Sequence, residues 1–213
     1  MSELNVMGLL RDGVLRFQAE VYQKNADEYR RAAATPQRPH SLIIACADSR
    51  VDVETVTSSG PGQLFITRNV GSMVPAYGEM MGGVSAVLEY AVAALGVGHV
   101  AVWGHSDCGA MKALLNPAAT AALPTVQRWL LNGHAALGVT DSLCRPEEPM
   151  KERLRRLTEE NVLMQVAHLK THPSVAAAMA RRDLTVSGWV YEIGTGEVRI
   201  AADPSREFVP VTA

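Results

Sequence analysis

Two short apolar runs, residues 42–45 and 100–103, each stop abruptly at a cluster of chemically active side chains. Cys46-Ala47-Asp48-Ser49-Arg50 follows the first, and His105-Ser106-Asp107-Cys108-Gly109 follows the second. An apolar run too short for a helix and bounded by polar residues reads as a strand buried on both faces, the habit of parallel strands covered by helices. In an open parallel sheet, ligands sit in the crevice outside the carboxyl ends of the strands. The two clusters therefore point to an α/β fold that carries its working residues at strand ends.

The rest of the pattern agrees. Strands are expected at residues 41–47, 63–68, 99–104, 185–193 and 197–201, with Gly194-Thr195-Gly196 turning the last two into a hairpin. Helices are expected at residues 53–58, 83–95, 110–115, 125–137 and 149–170, and a further one opens at Pro173 and continues over 175–182. Strands alternating with helices give right-handed crossovers and a parallel core. The expected sheet order is 2-1-3-4, with the C-terminal strand at an edge and helices on the flanks. In that order Cys46 and His105 end neighbouring strands where the order reverses, and Cys108, opening the next helix, closes a triangle with them. Ahead of the first strand, Leu9, Leu10, Val14, Phe17, Val21 and Tyr22 recur near helical spacing. Residues 1–34 thus read as a long amphipathic arm with a break at Gly13 and an apolar stripe that something must cover.

The 213 residues suffice for one sizeable core, and no linker rich in Gly or Ser divides them. Lys and Arg number 20 against 22 Asp and Glu, for a net charge of -2, and they alternate with the acids, so nucleic acid is not an expected partner. No apolar stretch approaches the roughly 20 residues that cross a bilayer, and residues 1–13 lack the basic start and apolar centre of a secretory leader. Three cysteines cannot all pair, which argues against a disulfide framework and for the reducing cytoplasm.

Two thiols and one imidazole make a soft three-point site that suits zinc and leaves a fourth position for water or for Asp48. Arg50, two residues beyond Asp48, can hold that carboxylate ionised through a bidentate pair. Cys144 has no metal-type neighbours and reads as a free thiol. His134, His168 and His172 fall on or beside helices, where surface or capping roles are expected.

The two clusters, together with Arg68-Asn69-Val70-Gly71 and Gly82-Gly83-Val84, resemble the β-carbonic anhydrase family. The likeness runs over residues 39–211, through Glu160-Asn161-Val162, Thr171-His172-Pro173-Ser174-Val175 and Gly188-Trp189-Val190-Tyr191. Within the family, the chain is similar to bacterial enzymes encoded alongside cyanate degradation and to the plant-type branch. The resemblance implies a single domain over 1–213, made of the arm (1–34) and a catalytic core (39–211). It implies reversible hydration of carbon dioxide to bicarbonate and a proton, with one zinc held by Cys46, His105 and Cys108. Zinc-bound hydroxide would be the nucleophile, oriented by the catalytic dyad Asp48 and Arg50, with Asp48 as a fourth ligand in a closed state. Gln37, Phe65, Tyr90 and the backbone of Gly109 match positions that line the substrate pocket, where Gln and the aromatic residues can come from a neighbouring subunit. Some bacterial members have an inhibitory bicarbonate pocket with Trp and Gly where this chain has Ile43 and Ala45, so a constitutively open site is expected.

A carbonic anhydrase whose metal is held by three histidines is the familiar case of zinc bringing the pKa of its water to about 7. Two thiolates donate more negative charge, so activity is expected further to the alkaline side. A hydrolase for carbon disulfide or carbonyl sulfide on the same scaffold and a non-catalytic zinc or thiol protein, with Cys46 and Cys108 as a redox pair, are the competing readings. The dyad argues against the non-catalytic protein, and a structural zinc is normally closed by a fourth Cys or His. The amphipathic arm, the edge strand and a split pocket imply a homodimer as the minimal unit, with dimers free to pair into tetramers or larger assemblies.

Overall fold

The computed structural model describes residues 5–79 and 82–212. The arm consists of α1 (Val6–Arg16) and α2 (Tyr22–Ala34), joined through a π-helical turn at Phe17–Val21. Gly13 lies inside α1 without breaking it, because one glycine costs a helix only about 1 kcal/mol. The irregularities fall at the π turn and at Asn25, whose φ of -114° and ψ of 15° leave the helical region. Residues 1–4 of the expected arm lie outside the described residues.

The core then runs β1 (Ser41–Cys46), α3 (Val53–Val56), β2 (Leu64–Asn69), α4 (Gly83–Glu89), β3 (His99–His105) and α5 (Gly109–Leu115). It continues with α6 (Pro124–Leu130), α7 (His134–Leu143), α8 (Met150–Leu169), α9 (Pro173–Ala180), β4 (Thr185–Tyr191), β5 (Val198–Ala202) and β6 (Val209–Pro210). The sheet order is β2-β1-β3-β4-β5-β6. The first four strands are mutually parallel, and β5 and β6 join antiparallel. The expected 2-1-3-4 core and C-terminal hairpin are both present. β6 adds an edge that two residues of sequence could not announce. The expected helix over 125–137 divides into α6, a tight turn at Leu131–Gly133, and α7.

Alternation along β1 and β3 explains the layers, since successive side chains of a strand point to opposite faces. Leu42, Ile44, Val100 and Val102 pack with Leu88, Val162, Val166, Leu169 and Val175 from α4, α8 and α9. Ile43, Ala45, Ala101 and Trp103 face the other way, where Val51 and Val53 join them and Trp189 stacks on Trp103 at 5.0 Å. A third cluster, with Met73, Met111, Leu114, Leu130 and Leu157, packs around Cys46 and Cys108 and backs the strand ends. Helix α8 lies close against the sheet because Gly104 and Gly188 leave room for Val162. A Cβ on either glycine would sit 2.5 Å from a Val162 methyl.

Candidate metal centre

β1 has β2 on one side and β3 on the other, so the order reverses at the carboxyl end of β1. Cys46 is the last residue of β1 and His105 the last of β3, and Ala45 pairs with Trp103 one step before them. Cys108 precedes α5 in extended conformation, and Asp107 makes the turn that returns it with a φ of 59°. The Sγ atoms of Cys46 and Cys108 and a ring nitrogen of His105 lie within 4.8 Å of one another, all three residues buried. His105 Nδ1 is 2.8 Å from the carbonyl oxygen of Ser106, which can only accept, so Nδ1 carries the proton and Nε2 presents a lone pair. That Nε2 is fully buried and has no hydrogen-bond partner among the described residues. A buried imidazole lone pair facing two thiols is what a zinc ion would satisfy, and the donor set fits one.

Electrostatics prepare the sulfurs. A hydrogen bond from the Cys108 thiol, with the backbone amides of Gly71 and Asp48, overrides burial and holds Cys46 below the ordinary thiol range. The same contact, with burial, pushes Cys108 above the ordinary thiol range. The two sulfurs therefore share one proton.

Asp48 stands beside the donors, with Oδ2 3.9 Å from His105 Nε2. Its Oδ1 accepts from the Arg50 backbone amide at 3.0 Å and from Nε at 2.9 Å, and its Oδ2 accepts from Nη2 at 2.7 Å. The Arg50 guanidinium holds the Asp48 carboxyl well below the usual carboxylate range. Arg50 also donates from Nη1 to Asp107 Oδ2 at 3.0 Å, and Lys112 pairs with the other oxygen of Asp107. The expected bidentate pair is thus present, and Asp107 and Lys112 extend it.

A polar scaffold supports these loops. Arg68 donates to the carbonyls of Cys46, Asp48 and Val51 at 2.9, 2.6 and 2.7 Å. Gln165 accepts from the Val74 amide at 2.7 Å and donates to Asn132 O and Asn161 Oδ1, while Asn161 donates to Gly71 O. Ser106 is pinned to the end of β4 by its amide to Tyr191 O and its hydroxyl to Glu192. The roles of Asp107, Lys112, Ser106 and Gln165 went unread in the sequence. For Gln165 a signal existed: with Asn161 it puts two polar residues four apart on the stripe of α8 that also carries Leu157, Val162 and Leu169.

Of the expected pocket residues, Gly109 is at the first position of α5 beside Cys108. Phe65 pairs in register with Leu42, four residues before Cys46 and so about 13 Å from it along the sheet. Its ring lies 6.0 Å from that of Tyr90, which is half exposed, and Gln37 is exposed in the segment ahead of β1. Those three gather toward the opposite ends of the strands, away from this chain's own donors. His172 is buried and bonds Pro75 O, and His168 bonds Val74 O, so both fasten loops.

Three buried protein donors with a carboxylate beside them, and no fourth Cys or His in the group among the described residues, fit a zinc site with one position left open. Residues 41–198 match the family model described as carbonic anhydrase. A carbonic anhydrase of Pseudomonas aeruginosa is 46% identical over 198 residues, covering 93% of this chain and 89% of the relative. Among solved structures, the β-carbonic anhydrase CcaA superposes with a TM-score of 0.91 at 34% identity, covering 97% of this chain and 92% of that one. Tetrameric β-carbonic anhydrases of Sordaria macrospora give a TM-score of 0.79 at 27% identity, with 98% and 100% covered. The chain belongs to the carbonic anhydrase family, in its β class.

Proposed function

We propose that this protein catalyses the reversible hydration of carbon dioxide to bicarbonate and a proton, with one zinc held by Cys46, His105 and Cys108. The observation that carries the reading is the buried, unpartnered Nε2 of His105 facing two thiols, with the carboxylate of Asp48 held 3.9 Å away. Zinc in that site would acidify a water and so supply a nucleophile near neutral pH. Asp48, kept ionised by Arg50, would accept a hydrogen bond from that nucleophile and so set the direction of its lone pair. Arg50 holds both carboxylate oxygens and thereby fixes the acceptor in one orientation. The amide end of α5 at Gly109 offers a donor to the oxygens on which charge develops as bicarbonate forms.

Gln37, Phe65 and Tyr90 complete the pocket of a second copy, the two rings on its apolar side and Gln37 as a polar contact, which makes a homodimer the minimal working unit. Val6, Leu9, Leu10, Val14 and Val21 are exposed along the arm and supply apolar surface for that copy to cover. Tetrameric relatives support further pairing. Residues 1–213 act as one domain, with the arm at 1–34 and the catalytic core at 39–211. The odd number of thiols, two of them needed reduced, fits the cytoplasm. No helix among the described residues is long and apolar enough to cross a membrane.

The test is a stopped-flow pH-indicator assay on protein of measured zinc content. One zinc per chain and rapid hydration are expected, with Asp48→Ala keeping the zinc and losing activity by about 100-fold. Zinc-loaded protein without hydration activity would overturn the reading.

A further inference from the structure

Asp107 sits in the left-handed backbone region, where glycine would meet the turn at no steric cost and any side chain is carried at some expense. Its carboxylate is fully engaged. Oδ2 accepts from Arg50 Nη1 at 3.0 Å, the Asp107 carbonyl accepts from Nη2 at 3.4 Å, and Oδ1 pairs with Lys112 from the first turn of α5. The adjacent edge of the same guanidinium is committed to Asp48 through Nε and Nη2. Arg50 is therefore gripped on two edges by two loops, the one after β1 and the one after β3.

Asp48 Oδ2 lies 3.9 Å from His105 Nε2, and a carboxylate that close to two thiolates and an imidazole is itself a competent zinc ligand. Arg50 withholds it, and Asp107 with Lys112 fixes Arg50. We propose that Asp107, braced by Lys112, is a positioning residue that keeps Arg50 on Asp48 and so keeps Asp48 off the metal. The inference rests on the zinc site proposed above. Arg50 and Asp107 are 46% and 51% exposed, and exposed ion pairs contribute modestly, so the effect is graded.

The experiment uses full-length protein with cobalt(II) in place of zinc, titrated with azide and followed by visible absorption. Asp107→Asn keeps the shape and tolerates the left-handed turn, and Asp107→Gly relieves it, so neither is expected to impair folding. Both are expected to weaken azide about three- to five-fold, because Asp48 now competes for the fourth position. Loss of a negative charge by itself would tighten an anion, so the sign separates the two effects. In an Asp48→Ala background, Asp107→Asn should produce no weakening. Unchanged azide affinity in the single variants would overturn the proposal. So would equal weakening in the Asp48→Ala background, which marks a structural role independent of Asp48. Failure of the wild-type protein to take up one cobalt per chain would refute the metal site itself, and this inference with it.

Discussion

Replacing Gln165 with leucine tests how far the metal loops depend on buried polar satisfaction. Gln165 is completely buried, and its side chain serves the Val74 amide, the Asn161 carboxamide oxygen and the Asn132 carbonyl. Leucine fills nearly the same volume, so the cost is not a cavity. The Val74 N–H and Asn161 Oδ1 are left dry and unpaired, at about 1–3 kcal/mol each, while the partly exposed Asn132 carbonyl can turn to water. The expected loss is about 2–6 kcal/mol, a large share of a domain's stability. Urea unfolding of zinc-saturated protein at one fixed concentration reads it, because metal and assembly both shift apparent stability. The damage should also reach the site, since Asn161 holds Gly71 O and the Gly71 amide supports Cys46. Faster zinc release to a chelator is the companion readout. A change below about 1 kcal/mol with an unchanged denaturant slope would refute the reasoning.

Other perturbations have equally definite outcomes. Gly104→Ala drives a methyl to 2.5 Å from Val162 and should cost about 1–3 kcal/mol, with Val162→Ala less damaging in that background than in wild type; strictly additive losses would count against the close approach. Asp52 is held below the usual carboxylate range by Thr55, through its hydroxyl and backbone amide, so its contribution is present above the unfolded pKa near 4 and fades as pH falls through the folded value. The stability gap between wild type and Asp52→Asn should therefore shrink with acid, and a gap that widens would contradict the assignment. Metal-free protein should show one thiolate per chain by ultraviolet absorbance near neutral pH, lost only on acidification. A signal that appears only under alkaline conditions would exclude the shared proton. Deleting residues 1–34 should slow no catalytic step directly but weaken self-association, and sedimentation identical to the full chain would refute the role given to the arm.

The strand ends were legible because residue types that bind metal follow apolar runs directly, and nothing in the intervening α3 or α4 region alters which strands become neighbours. Expected and observed strand limits agree within a residue or two, with β1 ending at Cys46 itself. The region after α5 was less legible. Leu131–Gly133 tightens into a turn where Gly133 passes Leu114 and Met73, a tertiary constraint that helical periodicity does not carry. Asp107 was opaque for a related reason: its role needs a left-handed backbone and two partners from separate elements. Gln37, Phe65 and Tyr90 could be named from the sequence, but strand register, which places Phe65 opposite Leu42 and beside Tyr90, could not be read there.

His105 and Cys108 are near neighbours along the chain, whereas Cys46 is separated from them by α3, β2 and α4. A nascent polypeptide can offer an ion only the two-point grip, which competes poorly with cellular chelators. The third donor comes within reach when β1 docks alongside β3. Tight capture is thus a late event that locks an already assembled sheet, and stripping the ion should loosen the rim while the hydrophobic layers beneath it persist.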